Sequence, residues 1–207
     1  MTQQNSKSTN MQRRNRGASI LELVITMMVI MVISAIAILQ MKPSLQNART
    51  DNAMREVVDQ LRQAREYAIS NRRYVQITFP IVAGQYEVRM TQVNTLTPGG
   101  GAVNPILSSV AIQAPLQFTV FPLKGDTPDA YGNSGAIVFG GVSGGPPTGM
   151  YFQSDGELVN GATFLPINGT VFIGVPGDAS TARAITVMGT TGRVRGWNGA
   201  GATWKQF

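Results

Sequence analysis

Residues 16–39 read RGASILELVITMMVIMVISAIAIL. From Ile20 to Leu39 there are 20 residues, and only Glu22, Thr26 and Ser34 are polar. At about 1.5 Å per residue a helix of that length spans roughly 30 Å, the thickness of a bilayer's hydrocarbon core. A stretch apolar on every side has no flank to offer water, so it predicts a membrane-spanning helix. Lys7, Arg13, Arg14 and Arg16 lie before it, and Glu22 is the first acidic residue of the chain. The positive-inside rule places residues 1–17 in the cytoplasm and the bulk of the chain across the membrane.

The basic cluster, the apolar run and the small residues Ala35-Ile36-Ala37 also suit a secretory signal peptide cut after Ala37. Two features weigh against that. The run is longer than a signal core, and it contains Glu22. A carboxylate at membrane depth costs about 2.5–3.5 kcal/mol on insertion scales, less near the interface. Glu22 lies one turn into a helix beginning at Ala18. If Ala18 were a mature N-terminus, its free amine could neutralise the Glu22 carboxylate of the same or a neighbouring subunit, offsetting desolvation of both.

The stretch Arg16-Gly17-Ala18-Ser19-Ile20-Leu21-Glu22-Leu23 resembles the class III signal of type IV pilins and type II secretion pseudopilins. The resemblance implies cleavage between Gly17 and Ala18 by a prepilin peptidase and N-methylation of Ala18. It further implies a docking role in assembly for Glu22, and other pilin or pseudopilin subunits as partners. The implied location is a single pass through the bacterial inner membrane, N-terminus cytoplasmic, the rest periplasmic or extracellular.

Composition removes much other chemistry. The 207 residues include no Cys and no His. Disulfides, thiolate or imidazole metal ligands, Cys nucleophiles and His-based triads are therefore excluded. The net charge of +6 owes much to the first 17 residues; without them 13 basic residues face 11 acidic ones. The charge alone is thus weak support for a nucleic-acid partner.

Pro43 predicts a kink or break. From Ser44 to Arg73 neither Gly nor Pro occurs, and Met54, Val57, Val58, Leu61, Ala64 and Ala68 recur at helical spacing. Arg55/Asp59 and Arg62/Glu66 fall at i,i+4. The charges of this stretch read as a solvated helix face. The predicted helix runs from about Ala18 to Arg73.

Beyond residue 73 there are 22 Gly and 10 Pro in 134 residues, too many for long helices. Strands are expected at Tyr74–Phe79, Gln85–Thr91, Leu116–Phe121, Ala136–Phe139, Met150–Gln153, Thr170–Val175, Ala184–Met188 and Val194–Trp197. Ser154-Asp155-Gly156 reads as a hairpin turn, and Thr97–Gly101 and Gly140–Gly149 as loops. The fold class is α+β: a long N-terminal helix, its second half packed on a β-rich head, as in pilins. The expected division is 1–17 leader, 18–41 membrane or fibre-core helix, 42–73 amphipathic helix and 74–207 head. The Gly-rich loops lack the residues of a phosphate loop, Asp126 and Asp129 lack the further ligands of a calcium loop, and no nucleophile motif occurs. Neither an enzyme nor a cofactor is expected.

After Asp178 there is no acid, while Arg183, Arg193, Arg195 and Lys205 remain. Arg193 and Arg195, two apart on a strand, would share a face at a spacing suited to adjacent phosphates. Trp197 and Trp204 could add stacking. The run Ala184-Ile185-Thr186-Val187-Met188-Gly189-Thr190-Thr191-Gly192-Arg193-Val194-Arg195 resembles the end of the GspH/FimT family of minor pilins, as does the strand leading to Asp155-Gly156. Some members bind DNA through a Gly-Arg-x-Arg loop during natural transformation. The resemblance thus makes Arg193 and Arg195 nucleic-acid-binding candidates, for DNA uptake. The alternative is that they close a hairpin and meet local carboxylates.

Overall fold

The structure, a computed structural model, describes residues 19–93, 105–146, 149–199, 201 and 203–207. The expected cleavage site at Gly17 and Ala18, the leader, the Thr97–Gly101 loop and residues 147–148 of the second loop lie outside them. The chain divides into two compact units, Met1–Pro43 and Ser44–Phe207. Helix α1 spans Ile20–Asn71, with Pro43 inside it. The helix does not stop at Pro43, although that residue has no N–H to return to the carbonyl four positions earlier.

In the first unit the helix is long and apolar enough to cross a membrane, and its most apolar window buries nothing. Ile20, Met31 and Ile33 are 86, 72 and 61 % exposed. A soluble helix would turn such residues inward, because each large apolar side chain withdrawn from water contributes about 1.5–3 kcal/mol.

In the second unit α1 becomes one-sided. Met54, Val57, Val58, Leu61, Ala64 and Ala68 are all buried, as their spacing predicts. The helix ends at Arg72, whose φ of 50° is left-handed. Arg73 N–H then reaches back to the Ala68 carbonyl (3.2 Å) and Arg72 N–H to that of Ile69 (3.4 Å), closing a Schellman-type cap.

Thirteen strands follow among the described residues. They are β1 Tyr74–Thr78, β2 Ile81–Val82, β3 Gln85–Val93, β4 Ile106–Ile112, β5 Gln117–Phe118, β6 Ile137–Phe139 and β7 Val142–Ser143. The rest are β8 Met150–Phe152, β9 Leu158–Asn160, β10 Gly169–Gly174, β11 Arg183–Met188, β12 Arg193–Asn198 and β13 Lys205–Gln206. Two antiparallel sheets result. One runs β2-β3-β1-β8-β9, with β4 also on β3; the other runs β13-β12-β11-β10-β6-β7, with β5 also on β10. Val75 and Ile77 of β1, Val88 and Met90 of β3, and Val171 and Ile173 of β10 join the helix stripe in one core. The second sheet is covered on its other face too. Phe172, Ala184 and Trp197 pack there with Phe121 and Ala182, Trp204 lying against them.

Three expectations need correction. The Gly140–Gly149 segment is not wholly loop. Gly140 and Gly141 both take positive φ, and the tight turn they form pairs Val142–Ser143 with β6. Leu116–Phe121 yields only the two residues of β5. Arg55 and Arg62 also depart from their expected pairs: Arg62 approaches Asp59 at 4.0 Å, and Arg55 lies over the Phe207 ring, 4.7 Å from its centre. The Asp155-Gly156 hairpin is as expected, with Gly156 at φ 87° and Gln153 N–H donating to the Glu157 carbonyl.

Candidate functional site

Two places carry the residues singled out by the sequence. The first is the beginning of α1. Glu22 lies in the first turn, exposed, and the helix starts with Leu23 N–H donating to the Ser19 carbonyl at 3.1 Å. Negative charge is favoured there, since the first turn presents unpaired N–H groups. Thr26 satisfies its hydroxyl by donating to the Leu23 carbonyl (2.9 Å), and Glu22 is the sole charged residue between Ser19 and Ala37.

The second place is the β11–β12 hairpin. Its turn reaches Gly192, at φ 61°, where a Cβ would stand 2.0 Å from the Gly156 carbonyl oxygen. The two turns read from sequence, Asp155-Gly156 and Gly192, therefore meet backbone to backbone. Arg65 of α1 is wedged beside them, its Nε donating to the Gly156 carbonyl at 3.4 Å.

Arg193 and Arg195 leave this turn on one face, as alternation requires, but their surroundings differ. Arg195 Nη1 donates to Asp129 Oδ1 at 2.7 Å. The other oxygen of Asp129 accepts from the Thr186 hydroxyl at 2.6 Å, and that hydroxyl in turn accepts the Trp197 indole N–H at 2.9 Å. Thr186 stands directly opposite Arg195 in the ladder. Arg195 thus belongs to a closed polar chain that pins the 126–132 loop to the sheet. Arg193 is exposed, and its guanidinium lies 4.0 Å from the Met188 sulfur. It shares a groove with Arg62, Arg65 and Glu66 of α1.

The tryptophans are occupied. Trp197 is buried, only 6 % exposed. Trp204 donates to the Gly125 carbonyl at 2.9 Å and packs 5.8 Å from Phe172. Trp197 therefore offers bases no stacking face, while Trp204 is half-buried with its ring against Phe172. Lys124 closes this corner by donating to the Gly199 and Gly201 carbonyls. Burial first, then the charge of Arg183, holds its ammonium below the ordinary lysine range.

Asp126 is a turn residue. One oxygen accepts Thr127 N–H and the other Gly132 N–H, both at 2.7 Å. Among the described residues no cluster of three or more His, Cys, Asp or Glu could hold a metal. Two features escape sequence reading: Asp129 as the anchor of Arg195, and Arg62 and Arg65 as neighbours of Arg193. No local pattern links residues 66 or more positions apart.

No protein-family model matches the chain, and no curated protein does. Among solved structures, one similar chain is the minor pseudopilin EpsH from the type 2 secretion system of Vibrio cholerae. It is 13 % identical, with a TM-score of 0.42 over 72 % of this chain and 95 % of that one.

Proposed function

We propose that the chain is a minor pseudopilin or minor pilin, a structural subunit of a type II secretion pseudopilus or a type IV pilus. The observation that carries this reading is a single helix of two characters. From Ile20 to Ile36 every described side chain is exposed and nearly all are apolar, around one carboxylate at Glu22; from Thr50 onward one face is buried in a β head. The apolar part suits first a bilayer and then a bundle of like helices. In this reading a prepilin peptidase cuts between Gly17 and Ala18, Ala18 is methylated, and Glu22 sets the register between subunits. The subunit sits in the inner membrane until assembly, its head outside the cytoplasm. Its work is packing and requires no catalysis.

Mass spectrometry of the processed chain tests the proposal. A mature polypeptide beginning at Ala18 with a methylated amine is expected. One beginning at Ile38 identifies a secreted protein and ends the reading.

A second reading is DNA capture during natural transformation. What favours it is the exposed Arg193 sharing its groove with Arg62 and Arg65. Because Arg195 already serves Asp129, Arg193→Ala should carry most of any effect, lowering the salt slope of log K by about 0.9 per phosphate contact. An unchanged slope and affinity for duplex DNA in the Arg193→Ala/Arg195→Ala double mutant excludes this reading.

A further inference from the structure

Strand β12 has an unfinished side. One edge pairs with β11 along all six residues, from Arg193 to Asn198. On the other edge β13 pairs only with Trp197 and Asn198, and Phe207 N–H then donates to the Gly196 carbonyl at 2.9 Å. Along an antiparallel strand every second residue turns its N–H and C=O the same way. Val194 therefore points its backbone groups outward, as Gly196 does. Among the described residues no strand meets them. The Val194 carbonyl has only a 3.4 Å contact from the Arg62 guanidinium.

Two grooves that share Arg62 lie along this edge. Arg55, Asp59 and Arg62 line the first beside Gly196 and Phe207; Arg62, Arg65, Glu66 and Arg193 line the second beside Val194. Four guanidiniums thus face two carboxylates, and Asp59 is already within 4.0 Å of Arg62. An unpaired strand edge is a template for another strand.

We propose that the outer edge of β12 beyond β13 is a docking slot for an extended, acidic peptide segment of a partner protein, which joins the sheet as an antiparallel strand in line with β13. The guest residue opposite Val194 exchanges two backbone hydrogen bonds with it and points toward Arg62 and Arg65. The guest residue opposite Arg193 shares that arginine's face, where a carboxylate forms a cross-strand ion pair. The slot is independent of how the apolar helix is used.

The test uses the full chain in detergent micelles and a blocked, fluorescein-labelled decapeptide of alternating Glu and Val, titrated by anisotropy. Three companions are compared: the same peptide with Lys for Glu, the Glu peptide N-methylated at alternate residues, and oligothymidylate as competitor. The Glu peptide is expected to bind, to slow amide exchange at Val194, and to bind about tenfold more weakly to Arg193→Glu. The Lys and N-methylated peptides should each bind at least about tenfold more weakly. The proposal is overturned if the Glu peptide does not bind, if N-methylation or charge reversal of the peptide changes nothing, or if oligothymidylate displaces the peptide and binds more tightly. The peptide comparisons need no variant protein, so a misfolded Arg193→Glu leaves the test intact.

Discussion

The two halves of α1 are both α-helical and differ in what surrounds them. In residues 20–36 no side chain is buried; in residues 50–68 Met54, Val57, Leu61, Ala64 and Ala68 are each 1 % exposed or less. Polar groups differ in the same way. Glu22 stands without an ion pair among the described residues, whereas Asp51 accepts from Arg183 Nε at 2.5 Å. Arg183, itself 1 % exposed, also donates to the Ser180 and Ala182 carbonyls. Helix propensity does not separate the halves. The second is fixed by the chain's own core, whereas among the described residues none buries a side chain of the first.

Substitutions in each half can break or sharpen this contrast. The largest effect is expected from Glu22→Ala, which should remain in the membrane while its incorporation into fibres falls to background. Normal incorporation would mean that the lone carboxylate is not what the first half needs. Next comes Leu61→Ala, expected to destabilise the head by about 2–5 kcal/mol in chemical denaturation, the range for a core leucine that leaves a cavity. Asp51→Ala should cost about 3 kcal/mol, because it strands a buried guanidinium. A loss below about 1 kcal/mol would show that the two carbonyls suffice for Arg183. Smallest is Ile30→Ala, which should leave head unfolding within about 0.5 kcal/mol of the parent. A larger shift would show that the first half also supports the head.

How much was legible follows from how local each signal is. The apolar run and the stripe from Met54 to Ala68 are periodic over neighbouring residues, and both appear in the structure as read. Strand β1, which alternates, and strand β11, an apolar run buried on both faces, lie within a residue or two of their expected ends. Strand β4 was not legible. Ile106-Leu107-Ser108-Ser109-Val110-Ala111-Ile112 puts two serines where alternation should show, and it buries only Ile112 fully, because it is an edge strand. The two-residue strands β2, β7 and β13 exist only through their partners. At the candidate site the turn and the common face of Arg193 and Arg195 were readable. Their different fates were not, since Asp129 reaches Arg195 across 66 residues of chain. Asp129 stood out beside Asp126 as part of an incomplete metal loop. Its real work, joining a loop to a strand, depends on register that only the folded sheet defines.

The meeting of Gly192 with Gly156 limits how this sequence can drift. An alanine at Gly192 would need a left-handed backbone and would set a methyl 2.0 Å from a carbonyl oxygen and 2.8 Å from Arg65 Cδ. The first mutational step away from glycine is thus blocked from two sides. Arg193 next to it is exposed and meets no such backbone barrier, while the residue before it stays fixed. A variant that escaped would have to re-route one of the two hairpins before any new side chain could enter.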